Sequence, residues 1–337
     1  MPVTSREWQL AARPVGEPRD SDVRFTEATV PDPAAGQVLV RNDWLSVDPY
    51  MRGRMNEGES YIPPFELGEA MTGSAVGTVV ASGSDDVPVG TTVSHFQGWR
   101  EYALLNAEGL QVVDTGLAPA QAYLGVLGTT GLTAYATLVE VSPVREGDVV
   151  FVSGAAGAVG SVAGQIARHL GAAKVIGSAG GPEKARRLVE DFGFDTAIDY
   201  REGDLPGQLA KAAPEGIDVY LDNVGGDHLE AVLGVMNLRG RVGMVGAISV
   251  YNATEAPAGP RTLPLAIGKR ITLRGMNVAD HYHLVPEYVG RAAAWLADGS
   301  LRTEETVVDG IENAFEAFTA MMRGANTGKM LVRLTQE

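Results

Sequence analysis

Residues 148–161, D-V-V-F-V-S-G-A-A-G-A-V-G-S, have the types and spacing to hold a pyrophosphate. Residues 149–153 read as a buried parallel strand, a Gly/Ala turn follows, and an uncharged helix of small residues is expected over 158–170. The chain must turn sharply at Ala155. At Gly157 backbone must approach a phosphate, and at Gly160 the helix must lie tight on its strand. A helix N-terminus adds unsatisfied N–H groups and the positive end of a dipole, a setting for an anion. The same residues could make a purely structural turn. Residues 149–167 are also uncharged and carry Gly160 and Gly164 at G-x-x-x-G spacing, a membrane-type pattern. Glycines at turn spacing and strand-type residues confined to the start favour the turn.

The second strand of such a unit decides which dinucleotide fits. NAD-specific units place an Asp or Glu at its tip, about twenty residues beyond the glycines, to bind ribose hydroxyls. Here the tip reads S-A-G-G from Ser178 to Gly181, and Lys184, Arg186 and Arg187 follow at once. A 2′-phosphate needs pairing cations, so NADP(H) is expected over NAD. A solvated helix face would carry the same residues, with Glu183 beside them.

Several chemistries are excluded. The 337 residues contain no cysteine, which removes disulfides, thiolate nucleophiles and Cys-ligated zinc. A formal charge of −15 argues against non-specific nucleic-acid binding, so any polyanionic cofactor must find a local cluster of cations. The five histidines form no metal motif, and His281 and His283 read as exposed loop residues; no metal is expected. No Tyr has Lys four residues on, and there is no H-E-x-x-H, nucleophile elbow or Walker lysine. Hydride transfer would then rely on hydroxyls, backbone N–H groups and the cofactor itself to stabilise a developing oxyanion. The first ten residues are polar with no apolar core, so a cytoplasmic protein with no membrane association is expected.

The elements around these residues predict the fold class. Up to about residue 120, short β-branched runs separated by Gly, Pro and Asp (38–40, 75–80, 92–93, 102–105) describe an irregular β-rich domain. Residues 41–55 are unusual, gathering Trp44, Tyr50, Arg52 and Arg54. A helical stretch over 120–141 is broken at residues 128–131. Beyond it strands (149–153, 174–178, 196–199, 217–223, 240–245) alternate with helices (158–170, 183–192, 205–213, 228–236). This is the pattern of βαβ units and an α/β parallel sheet with its crevice at the strand C-termini. A Pro-rich loop (253–264), a strand (271–275) and a helix (284–298) follow. The tail (strand 305–308, helix 311–323, strand 329–334) is expected to return to the β-rich domain. The division expected is 1–121, 122–298 and 299–337.

Across nearly its whole length the chain resembles the zinc-independent medium-chain dehydrogenase/reductases, in particular the NADP-dependent enone and alkenal reductases. The strings are V-D-P-Y-M-R (47–52), G-x-x-M-T-G (68–73), G-T-T-G-L-T-A-Y (128–135), G-A-A-G-A-V-G-S (154–161), D-N-V-G-G (222–226), G-A-I-S-V-Y-N (246–252) and G-A-N-T-G-K (324–329). Zinc-dependent relatives carry G-H-E where this chain has Gly68-Glu69-Ala70. The resemblance implies a Rossmann doubly wound parallel sheet plus a GroES-like β-rich domain, nicotinamide and substrate held in the cleft between them, and a homodimer. It implies pyrophosphate contacts from Gly157, Ala158, Val159, Gly160 and Ser161, a 2′-phosphate contact from Lys184 and an adenosine-ribose contact from Tyr200. Asn223, at the end of the fourth strand, would contact the cofactor, and Val245, Gly246, Ala247, Ile248, Ser249, Val250, Tyr251, Met276, Asn277 and Val278 would line the nicotinamide side, with Asn326 returning from the tail. At Met276–Val278 the chain departs from an aromatic found in many relatives, so the pocket differs there. The implied reaction is hydride transfer to the β-carbon of an α,β-unsaturated ketone or aldehyde. Tyr251 would donate a hydrogen bond to the enolate and Tyr50 would contribute from the other domain; Arg52 would be structural or face the cofactor. A quinone reductase on the same scaffold and a non-catalytic NADPH-binding protein remain open at this point.

Overall fold

The computed structural model describes residues 2–335. The chain forms two compact units, one of Met1–Gly125, Glu305–Asn326 and Met330–Glu337, the other of Val126–Glu304 and Thr327–Lys329.

The first unit is β-rich. β1 (Val3–Leu10) and β2 (Val23–Val30) pair antiparallel from Val3↔Val30 to Leu10↔Val23, a hairpin absent from the expected strands. β3 (Gln37–Ser46) runs well beyond the apolar 38–40 run and is followed by the one-turn helix α1 (Tyr50–Arg54). Its second half is polar in sequence, and hydrogen bonds explain its place in the sheet. Buried Asn42 donates from Nδ2 to Gln97 O (3.1 Å) and Arg100 O (2.8 Å), and Asp43 accepts from Thr78 Oγ1 (2.6 Å). β4 (Ala75–Ser82), β5 (Thr92–His95), β6 (Tyr102–Asn106) and β7 (Gln111–Val112) complete this part of the sheet.

The second unit opens with α2 (Thr129–Ala136), which begins inside the stretch expected to break the helix and ends in a π-helical turn, Thr137–Val141. The alternating series then appears: β8 (Val149–Val152), α3 (Ala158–His169), β9 (Lys174–Ala179), α4 (Pro182–Glu190), β10 (Thr196–Asp199), α5 (Leu205–Ala212), β11 (Ile217–Asp222), α6 (Gly226–Val235) and β12 (Met236–Met244). Short α7 (Leu265–Lys269), β13 (Thr272–Gly275) and α8 (Val285–Ala297) follow. β14 (Glu305–Asp309), α9 (Ala314–Met322) and β15 (Lys329–Arg333) form the tail, and the first unit's large sheet runs β14-β15-β3-β4-β5-β7, with β6 on β3.

The second unit's sheet has the order β10-β9-β8-β11-β12-β13, and its pairings are parallel. Renumbered within the unit this is 3-2-1-4-5-6, the doubly wound Rossmann order, whose direction reverses between β8 and β11. All four residues of β8 are buried, as a strand covered on both faces requires. Gly164 of the G-x-x-x-G faces Phe194, and a Cβ there would collide with the ring. Its spacing therefore serves packing inside this unit. No helix among the described residues is long and apolar enough to cross a membrane.

Candidate functional site

The glycine turn follows β8 at the point where the strand order reverses. Gly154 carries the positive φ (+58°), so the sharp bend falls one residue before the expected Ala155, which is fully buried. At Gly160 a Cβ would collide with Gly154 O and the Ala155 backbone, which fixes α3 against the turn. Gly157 is the N-cap of α3, and the only contact its Cβ would meet is Gly154 O at 3.3 Å. Ala158, Val159, Gly160 and Ser161 form the first turn of α3, with Ser161 buried. Gly328 of the tail donates to Ala156 O (2.7 Å) and has φ +67°, with Glu304 O where a side chain would stand. The G-A-N-T-G-K string thus closes on the turn at its Thr327–Lys329 part, with Asn326 just before it in the chain.

The three cations after β9 divide. Arg186 pairs with Glu183 and Glu190, and Arg187 with Asp191 (2.7 Å) and Glu304 (2.8 Å), so both are engaged by carboxylates. Lys184 is half-buried, and its pKa is lowered by burial and then by Arg201. Arg201 is the cation that the sequence reading missed. It follows Tyr200 at the end of β10, and a Cβ on Gly180 would meet Tyr200 Oη at 2.6 Å and Arg201 Nε at 2.9 Å. Lys184, Tyr200 and Arg201 therefore collect around the S-A-G-G tip of β9. The nearby acid, Asp199, accepts from Gly181 N (2.8 Å) and Arg201 N (3.0 Å) and so shapes this loop. Two cations next to uncharged glycines suit a phosphate dianion.

The loops after β11 and β12 are tied to the turn. Asn223 donates from Nδ2 to Ser153 O (2.7 Å), and its N–H goes to Ser153 Oγ (3.0 Å). Val245 and Gly246 both donate to Asp222 O, at 2.8 and 3.0 Å. Ile248 N donates to Asn223 O (3.3 Å), Ser249 Oγ to Val224 O (2.6 Å), and Val250 N to Ala247 O (2.9 Å). Tyr251 folds back so that its hydroxyl oxygen accepts from Ala247 N (3.1 Å). With one lone pair so used, the phenol keeps its O–H to donate. After β13, Met276 N donates to Met244 O (2.9 Å) and Asn277 Oδ1 accepts from Ala279 N (3.1 Å), leaving Met276, Asn277 and Val278 half-buried. Every one of these segments lies at a strand C-terminus.

In the first unit, half-buried Tyr50 begins α1 and stacks on Phe96, centroids 6.4 Å apart and planes at 17°. Arg52 is buried and donates to Gly16 O (2.7 Å) and Asn56 Oδ1 (2.7 Å), a structural role in this unit. His281 corrects the exposed-loop expectation. It is buried, and its Nδ1 lies 2.7 Å from Glu140 Oε2, while exposed His283 bonds the other oxygen (3.0 Å). The two imidazoles hold the Glu140 carboxyl below the usual carboxylate range. Among the described residues no three His, Cys, Asp or Glu are grouped to hold a metal.

Comparison with known proteins agrees with this architecture. Residues 6–113 match the family described as the N-terminal domain of oxidoreductase, and 158–296 the family described as zinc-binding dehydrogenase. The chain is 40% identical to the NADPH-dependent curcumin reductase of Escherichia coli, over 98% of this chain and 97% of that protein. It is 39% identical to the NADP-dependent 2-alkenal reductase of Nicotiana tabacum, over 99% of each. The crystal structure of CurA from Vibrio vulnificus in complex with NADPH superposes with a TM-score of 0.94 at 39% identity, covering 98% of this chain and 100% of that one. The chain belongs to the medium-chain dehydrogenase/reductases, in the group of NADP-dependent enone and alkenal reductases.

Proposed function

We propose that this protein is an NADPH-dependent reductase of the carbon–carbon double bond in α,β-unsaturated ketones and aldehydes, working without zinc. The observation that carries the reading is the gathering of Lys184, Tyr200 and Arg201 at an acid-free strand tip beside a glycine turn, on a chain alike end to end to reductases named for such substrates. The residues fit the dinucleotide: Gly157 to Ser161 offer the pyrophosphate a helix N-terminus, and Lys184 with Arg201 the 2′-phosphate its cations. Tyr200 is assigned to the adenosine ribose. Asn223, residues 245–251, residues 276–278 and Asn326 are assigned to the nicotinamide side.

The bound cofactor supplies a hydride to the substrate β-carbon. Tyr251, oriented by the Ala247 N–H, donates a hydrogen bond to the carbonyl oxygen as it becomes an enolate, and Tyr50, in the first unit, is the other hydroxyl assigned a catalytic role. A proton from solvent water then adds to the α-carbon, leaving hydroxide to the bulk, and gives the saturated carbonyl. With no cysteine in the chain and no grouped metal ligands among the described residues, these O–H donors are assigned the place of a Lewis acid.

We further infer a cytoplasmic homodimer. Among the described residues β13 has no neighbour on its outer edge, and Leu263, Leu265 and Ile267, just before it in the chain, are exposed apolar residues that a second copy could cover. Light scattering checks the mass. NADPH oxidation across a panel of enones, alkenals and quinones, with NADH run in parallel, tests the reaction. Turnover of enones and alkenals with NADPH is expected; turnover confined to quinones would replace the reading.

A further inference from the structure

Arg54, at the end of α1, is 7% exposed, and its guanidinium bonds only to neutral acceptors. Nε donates to Pro63 O (2.8 Å), Nη1 to Thr72 O (2.9 Å) and Nη2 to Thr72 Oγ1 (2.8 Å). Among the described residues no carboxylate lies within ion-pairing distance. Its faces are covered instead by Phe65 (4.1 Å to the ring centre) and Phe96 (5.4 Å). Withdrawing a cation from water without a counter-ion is unfavourable, and burial lowers the Arg54 pKa accordingly.

The ionisable groups within electrostatic reach of Arg54 are two phenols, Tyr50 and Tyr61. Tyr61 is 70% exposed and well screened. Tyr50 is one helical turn back on α1, on the same side as Arg54, and its ring rests on the same Phe96. A buried cation without a carboxylate partner fits a place where negative charge arises on another group.

We propose that Arg54 is a positioning residue for Tyr50: seated on the ring the two share, its charge biases the Tyr50 hydroxyl toward carrying negative charge and so strengthens it as a hydrogen-bond donor. The catalytic half of this inference rests on the enone-reductase reading; the coupling of Arg54 to Tyr50 does not. The competing role is mechanical, a fork tying the 63–72 segment to α1. Charge and fork separate by substitution. Arg54→Lys keeps the charge and loses the fork, whereas Arg54→Gln keeps hydrogen-bonding capacity and loses the charge.

The test is 19F NMR of the full-length protein labelled with 3-fluorotyrosine, the Tyr50 signal being the one that Tyr50→Phe removes. In R54Q that signal should titrate about one pH unit or more above the wild type, with R54K close to the wild type. Turnover of an enone should fall about tenfold in R54Q with the KM for NADPH unchanged, recover in R54K, and show no R54Q effect in a Y50F background. Equal titration in R54Q and wild type, or equal shifts in R54Q and R54K, would overturn the proposal. If R54Q does not fold, Arg54→Met, which fills the space between the two rings, takes its place. If the wild type reduces no enone, the functional reading fails, while the titration still decides whether Arg54 acts on Tyr50.

Discussion

Tyr251 and Lys184 stand for two different kinds of residue-level evidence. Lys184 is a candidate on elementary chemistry alone, since a strand tip without an acid followed by cations is a statement about charge. The same reasoning groups Arg186 and Arg187 with it, whereas Arg186 is paired locally with Glu183 and Glu190 and Arg187 with Asp191 and the distant Glu304, and it passes over Arg201, which the fold brings in from the end of another strand. Tyr251, Tyr50, Tyr200 and Asn223 were legible only through family resemblance, because no local pattern marks a tyrosine as a donor. Lys184→Ala should raise the KM for NADPH about 10- to 100-fold and leave that for NADH unchanged, the loss of one charge-assisted hydrogen bond; steady-state kinetics with both nucleotides checks this. Tyr251→Phe should lower kcat about tenfold or more with little change in the KM for NADPH, as expected for an interaction made in the transition state. An unchanged kcat would remove Tyr251 from the mechanism.

Among the elements, the Rossmann series was legible strand by strand because each strand is a compact apolar run and each helix has its own period. The departures lie where polar atoms are satisfied at long range. The second half of β3 looks like a loop in sequence, yet Asn42 and Asp43 are bonded across the sheet, and the β1–β2 hairpin has an alternation too exposed to stand out. The break expected at residues 128–131 is instead the start of α2, where Gly131 lets the helix lie against Val126 O and the Tyr288 hydroxyl. The same close approach governs α3. Gly164→Leu should destabilise the protein by about 1–3 kcal/mol or more, because the Phe194 ring occupies the space the side chain needs; denaturant unfolding measures it. A smaller loss would mean that α3 can move off β9.

For the whole molecule, the acidic balance leaves few cations, 27 Lys and Arg against 42 Asp and Glu. His95 is a half-buried titratable group whose ring is withdrawn from water. Its Nδ1 accepts from Gln97 N (3.0 Å), its Nε2 is buried without a partner, and burial, then Arg100, lowers its pKa to about 4. The unfolded chain binds this proton at about pH 6.5. His95 therefore contributes stability that is present above that pH and is lost progressively as pH falls toward 4, on the order of 3 kcal/mol. His95→Gln should flatten that part of the stability profile between pH 6.5 and 4, measured by urea unfolding at stepped pH; an unaltered profile would place the acid sensitivity elsewhere.

The central claim concerns where the hydride goes, and NADPH carrying deuterium at the transferred position reads it directly. Reduction of an enone with this cofactor, followed by NMR of the product, should give a saturated ketone with one deuterium on the former β-carbon. An allylic alcohol with deuterium on the carbinol carbon would contradict the account.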